Sequence, residues 1–425
     1  MKRIVVYSHD TFGLGNLRRM LSVCQSLLEE IDDVSVLMIT GSSMIQSFRL
    51  HRNRFDYLKL PCLSRNSDGI YETRSSGFEF KDIVNLRADM IFAALRNFRP
   101  DLMIVDKKPL GVESELEPAL EFLHSQYRCK CVLLLRDILD SPEKTRKVWR
   151  KNEYFQHIEK FYGRVLVVGC ESVFDIRREY SFPPNIARMV RFCGYINRAN
   201  SSKFNNKADL PWGVGQKRIL VTPGGGEDGA WLVRQYLAAQ KDWKGAREHF
   251  SVLVTGPEMP KTEVQEIRNA SRSLSNFHVE EFSNNIPSMM KQADLVVSMA
   301  GYNTICEILS LRKSAVVVPR ITPVREQWIR AELLAKRGLI RAIHPEKLTP
   351  NLLAKTIRDE LSRIAPKDCL SSIDLNGLQT VAMEVKEFLF RSDRNAIAPE
   401  PRSLRDPCLE TISNQPVKVM STGIL

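Results

Sequence analysis

A chain of 425 residues, 43% hydrophobic and 26% charged, has the composition of an ordinary globular protein and the length for two to three domains. Lys and Arg exceed Asp and Glu by 62 to 50, and the resulting charge of +12 favours anionic partners without choosing among phosphorylated ligands, lipid head groups and nucleic acid. No apolar run approaches the ~18 residues of a membrane span, the opening MKRIVVYS lacks the apolar core of a leader, and nine cysteines without a Cys-x-x-Cys pair argue for reduced, buried thiols in a cytoplasmic protein.

Short runs of Val, Ile and Leu open the chain at 3–8, 34–39, 101–105, 131–135 and 164–168, and read as buried parallel strands. Segments 15–30, 80–98, 114–126 and 143–160 between them read as helices. The alternation predicts a doubly wound α/β domain over 1–196. Residues 197–216, NRANSSKFNNKADLPWGVGQ, are polar and rich in Asn, Ser and Gly, and read as a linker. The pattern restarts with strands at 218–222, 251–255, 277–281, 294–298 and 315–318, and helices near 229–240, 260–273, 302–311 and 325–337, a second α/β domain over 217–365. Two such halves predict a ligand cleft between them. A last amphipathic helix at 376–392 lies in a C-terminal region beginning at 366, and the tail from 393 to 425 reads as disordered.

Three stretches of the second half could carry chemistry. In Val221–Gly229, VTPGGGEDG, the glycines Gly224, Gly225 and Gly226 sit between a strand and a helix. Such a turn brings amide N–H groups and a helix N-terminus to a phosphate, or is simply a tight turn. In Asp294–Glu307, DLVVSMAGYNTICE, a buried strand gives way at Gly301 to a helix that opens near Asn303 and Thr304. Glu307, one turn in, can accept hydrogen bonds from two ribose hydroxyls or merely complement the helix dipole. In Pro319–Gly338, the residues Arg325, Glu326, Gln327 and Arg330 crowd a helix start, which alone reads as a solvated face.

These stretches, in this order and spacing over about 120 residues, resemble the donor domain of glycosyltransferase family 28, the peptidoglycan N-acetylglucosaminyltransferase type. The Gly-rich loop, Ala293–Glu307, Val318–Pro319, and Glu326–Gln327 with Arg330–Ala331 carry the likeness. In the first half, YSHDTFGLGNLRR at 7–19, VDKKPLGVESELEPAL at 105–120 and LRDILDSPE at 135–143 resemble bacterial glycosyltransferases related to that family. The resemblance implies the GT-B fold, two doubly wound Rossmann-like domains facing a cleft. It implies that Gly225, Gly226 and Thr304 contact the donor's phosphates, Glu307 the ribose and Gln327, beside Glu326, the sugar hydroxyls. It implies neither metal nor other cofactor, and no Asp-x-Asp pair is present to hold a divalent ion.

The acceptor side departs from the family's pattern. Where relatives often carry Gly-x-Gly-His, this chain has Gly13-Leu14-Gly15-Asn16, and an amide cannot take a proton. Either His9 or Asp10 serves as the base, or transfer activity has been lost. Asp106 and Asp137 end strands, where they bind acceptor hydroxyls or cap helices. Arg18 and Arg19 meet an anionic acceptor or belong to a solvated turn. The long loop 62–80 is the expected seat of acceptor selectivity. The leading expectation is inverting, metal-independent transfer of a hexosyl group from a UDP-type nucleotide sugar to a hydroxyl acceptor. That acceptor could be lipid-linked and belong to envelope or polysaccharide synthesis, with peripheral contact at the inner membrane face. The alternatives are a nucleotide-sugar epimerase or hydrolase, or a non-catalytic nucleotide-sugar-binding protein. Nucleic acid is not an expected partner, because no recognised module accompanies the charge.

Overall fold

The runs Ile4–Tyr7, Leu102–Val105 and Val165–Val168 show no polar alternation, and every one of these residues is fully buried, as in parallel strands covered on both faces. The computed structural model describes residues 1–9, 14–47, 53–65, 71–73, 77–127, 129–197, 212, 215–226, 228–241, 248–283, 285–363 and 373–391. Most of the expected linker and the whole tail from 393 lie outside these residues, as do Asp10 and Gly13.

The strands in chain order are β1 Lys2–Ser8, β2 Val34–Thr40, β3 Phe55–Lys59, β4 Leu63–Arg65, β5 Tyr71–Thr73, β6 Leu102–Asp106, β7 Lys130–Arg136, β8 Arg164–Val168 and β9 Val190–Phe192, then β10 Lys217–Thr222, β11 His249–Val254, β12 Phe277–Glu280, β13 Leu295–Ser298, β14 Ser314–Val317 and β15 Arg341–Ala342. Seven form one sheet in the order β3-β2-β1-β6-β7-β8-β9 and six a second in the order β12-β11-β10-β13-β14-β15; β4 and β5 pair separately. All neighbours within the two large sheets run parallel, whereas β4 and β5 are antiparallel. The strand order reverses between β1 and β6 and between β10 and β13, and each reversal opens a crevice at the carboxyl ends of its strands.

Helices fall close to their expected positions at Leu14–Glu30, Phe80–Phe98, Ala230–Lys241, Lys261–Ser271, Tyr302–Ser310 and Glu326–Lys336. Two expectations need correction. The helix expected over 143–160 is two, Pro142–Lys151 and Tyr154–Phe161, broken at Glu153 (φ 50°). Trp149 and Tyr154 lie five residues apart, on different faces of a straight helix; the break lets Tyr154 pack edge-on against Trp149, which in turn packs on Phe155 and Phe182. The helix expected over 114–126 begins only at Glu117. Before it, Lys107, Gly111, Glu113 and Ser114 all take positive φ, which a helix does not accommodate.

The helix Gly377–Phe390 packs on the first sheet rather than the second. Arg164 at the start of β8 reaches Glu384 at 2.5 Å and Glu387 at 2.7 Å, Lys130 Nζ donates to the carbonyl of Phe388 at 3.0 Å, and Ser26 Oγ to that of Leu378 at 3.1 Å. A Cβ on Gly163 would sit 2.3 Å from the Phe388 ring, so the ring needs glycine there. No helix among the described residues is long and apolar enough to cross a membrane.

Candidate functional site

Both crevices open into one cleft between the halves. From the second half it is lined by Thr222–Gly226, Asp228, Gly256–Glu258, Phe282, Gly301–Thr304, Glu307, Arg320, Glu326 and Gln327, and from the first by Gly15, Asn16, Arg18, Arg19 and Arg136. The two halves are fastened around it. Asn303 Nδ2 donates to the carbonyl of Gly15 at 3.0 Å, the Tyr302 hydroxyl to that of Val168 at 3.0 Å, and Lys144 Nζ to that of Pro323 at 2.8 Å.

The Gly-rich loop follows β10 and packs backbone to backbone on the loop after β11. Gly226 has φ 98°, and a Cβ there would fall 2.4 Å from the carbonyl oxygen of Thr255. The amide of Glu258 donates to the carbonyl of Gly225 at 2.9 Å. A tight turn is therefore required, and the same turn brings Gly224, Gly225 and Gly226 to the cleft wall.

Tyr302–Ser310 starts at the cleft with Gly301 as its N-cap and no side chain satisfying the first-turn amides. Those amides and the positive end of the helix dipole suit an oxyanion. Thr304 and Glu307 lie on the same wall, Glu307 only 8% exposed. Gln327 accepts from the Arg320 amide at 3.3 Å and so braces the loop after β14.

The charged residues form a buried network across the halves. Arg330, fully buried, grips Asp137 through Nε and Nη2, both at 2.7 Å, and gives Nη1 to Glu326 at 2.7 Å and to the carbonyl of Ala300 at 2.9 Å. Arg19 pairs with Asp106 at 2.7 Å. The Tyr302 ring lies under the guanidiniums of both Arg19 and Arg330, at 5.9 and 5.7 Å. Burial would raise the Glu326 carboxyl, but Arg330, Arg136 and Arg320 outweigh it and hold it below its ordinary value. Asp106 and Asp137 are not among the residues lining the cleft: each is buried in an ion pair. Ser141, not Asp137, caps the helix that follows β7.

His9 ends β1 and is fully buried, with Nε2 2.9 Å from the Tyr71 hydroxyl. It does not line the cleft, as Asn16 does; Asn16 donates to the His9 carbonyl at 2.7 Å and accepts from Arg19 at 3.2 Å. Sequence reasoning missed Arg136, Arg320, Gly256 and Glu258 on the cleft wall. The one available signal was Arg136, a charge closing the apolar run of β7. Arg320 pairs with Asp228 at 2.9 Å, a contact between two loops that no spacing encodes.

The glycosyltransferase family 28 C-terminal domain matches residues 218–369. The match lies wholly within the second half of the chain. Proteins named "UDP-N-acetylglucosamine--N-acetylmuramyl-(pentapeptide) pyrophosphoryl-undecaprenol N-acetylglucosamine transferase" are similar over part of the chain. That of Alkaliphilus oremlandii is 27% identical over 165 residues, 39% of this chain and 43% of the relative. That of Haemophilus influenzae is 26% identical over 185 residues, 42% and 51% respectively. The chain thus spans about half the length of these curated relatives. Across both halves its fold is GT-B, and it superposes on Acinetobacter baumannii MurG with a TM-score of 0.59 at 13% identity, covering 91% of this chain and 100% of that one. The UDP-GlcNAc 2-epimerase of Neisseria meningitidis superposes equally well, with a TM-score of 0.59 at 16% identity over 92% and 99%.

Proposed function

We propose that the protein is an inverting, metal-independent glycosyltransferase that moves a hexosyl group from a UDP-type nucleotide sugar to a hydroxyl acceptor. The observation that carries this reading is the cleft itself. A family 28 Gly-rich loop and an uncapped helix start share it with three guanidiniums of the opposite half, those of Arg18, Arg19 and Arg136. Amides and cations so arranged stabilise the charge that develops on a departing diphosphate. In this reading Gly225, Gly226 and Thr304 hold the phosphates, Glu307 the ribose, and Gln327 with Glu326 the sugar end. Val254, Phe282 and Ile286 offer an apolar wall for the base. The relatives are named for a UDP-sugar donor and a pyrophosphoryl-undecaprenol acceptor; we carry a lipid-linked acceptor, envelope synthesis and peripheral contact at the inner membrane face to this chain as proposals.

The base in this proposal is His9 or Asp10, and since His9 is buried behind the cleft wall its part is tested directly. The substitution His9→Ala is then expected to lower turnover by about 10²-fold, the ordinary contribution of a positioned base, while nucleotide affinity stays within twofold. Full turnover in that variant moves the base elsewhere. Consumption of the donor with no acceptor present favours an epimerase or hydrolase instead.

The donor site is tested by calorimetric titration with UDP, GDP and dTDP, first without divalent metal and then with magnesium. Metal-independent binding of one nucleotide is expected, and Glu307→Ala should weaken it more than tenfold, about 1.4 kcal/mol, at unchanged unfolding temperature. Equal affinity in that variant removes the ribose assignment.

A further inference from the structure

Arg136 closes β7 at the carboxyl end of the first sheet and lines the cleft. Arg19, Arg320 and Arg330 each hold a carboxylate, although the Nε atoms of Arg19 and Arg320 are also buried without a hydrogen-bond partner. Arg19 donates to Asp106 at 2.7 Å, Arg320 to Asp228 at 2.9 Å, and Arg330 to Asp137 and Glu326 at 2.7 Å. Arg136 donates to no carboxylate among the described residues. Its nearest is Glu326 Oε1 at 3.9 Å, on a group already held by Arg330, and its Nε is buried without a hydrogen-bond partner. Its side chain is only 13% exposed. Burial, reinforced by the like charges of Arg19 and Arg330, pulls its guanidinium below the ordinary value despite the attraction of Glu326. A desolvated cation with unmet donors is a liability to the fold unless an anion completes it.

We propose that Arg136 is the first half's contact to a phosphate oxyanion of the ligand in the cleft, and that the ligand supplies the partner the fold withholds. This deepens the nucleotide-sugar reading and rests on it. A planar guanidinium suits two phosphate oxygens at once. Because the Gly-rich loop belongs to the other half, an anion held by both joins the halves, and diphosphate affinity depends on their closure. The oxyanion has two sources, the donor's β-phosphate or a phosphate of the acceptor.

The test uses the full chain carrying Arg136→Met or Arg136→Lys. Thermal unfolding is followed without ligand, and calorimetry uses the nucleoside diphosphate that the wild type binds, its monophosphate, and inorganic phosphate added to the nucleotide-saturated protein. Arg136→Met is expected to unfold no lower than the wild type, since a partnerless buried charge has gone. A tenfold or greater loss of diphosphate affinity with monophosphate affinity kept assigns the anion to the donor. Unchanged nucleotide affinity with loss of inorganic phosphate binding assigns it to the acceptor. Arg136→Lys, which keeps charge but loses the fork, should fall between. An unfolding temperature lowered by several degrees, or anion affinities all unchanged, overturns the proposal. Nucleotide binding lost in Glu307→Ala but intact in Arg136→Met sinks this inference alone; a wild type that binds no nucleotide sinks the donor reading with it.

Discussion

Arg330→Met is expected to destabilise the protein by about 3–5 kcal/mol, the usual cost of breaking a buried ion pair from one side. Asp137 would remain 1% exposed, with the Tyr195 hydroxyl at 3.2 Å and the Ile138 amide at 2.8 Å as its remaining donors among the described residues. Glu326 would keep only guanidiniums at 3.9 Å. Urea unfolding measures the loss, and a double variant with Asp137→Leu should recover much of it, since removing both charges removes the desolvation cost as well. A loss below about 1 kcal/mol would place the pair among weak surface bridges. The same network sets a pH dependence. The Glu326 carboxyl is held below its ordinary 4.5 in the folded state, so its contribution is complete above that pH and is lost as the pH falls further. The deficit of Arg330→Met should therefore be largest above that pH and shrink as the pH falls, because the Glu326 contribution it removes is one that acid removes from the wild type as well.

Gly226→Ala is expected to cost about 2–4 kcal/mol, from a side chain at φ 98° together with a 2.4 Å approach to the Thr255 carbonyl. Backbone, not a flexible side chain, opposes the new methyl group, so the loop itself must shift. Nucleotide affinity should fall more than tenfold as the Gly-rich turn leaves the cleft. Gly301→Ala supplies the contrast. Its φ is −61° and a Cβ there meets nothing within 4 Å, so stability should be unchanged and any lost affinity belongs to the ligand. Differential scanning calorimetry with nucleotide titration separates the two. Equal stability of Gly226→Ala and the wild type would mean that the loop tolerates a different path.

Much of this was readable from the chain because parallel strands covered on both faces leave unbroken apolar runs. That property located β1, β2, β6, β7 and β8 and most of the second sheet, and with them both strand-order reversals. Edge strands are different: β3, β9 and β15 are short and partly exposed, so Phe55–Lys59 and Arg341–Ala342 carry no such run. The cleft loops of the second half were legible because glycines and a helix start occur together in sequence. The ion pairs were not. Asp137 and Arg330 lie 193 residues apart, and nothing local distinguishes an aspartate that caps a helix from one that waits for an arginine of the other half. His9 was expected at the cleft because it ends β1; its hydrogen bond to Tyr71, 62 residues on, takes it inside instead.

The return of helix Gly377–Phe390 to the first sheet has a consequence for synthesis. A ribosome makes the chain from its amino end, and domains generally fold as they emerge. This first domain cannot finish that way. Until residues near 388 leave the exit tunnel, Arg164 lacks both glutamates and Gly163 faces an empty place where the Phe388 ring belongs. The second domain, complete earlier in the queue, must therefore assemble beside an unfinished neighbour, and the last helix made is the one that closes the first domain begun.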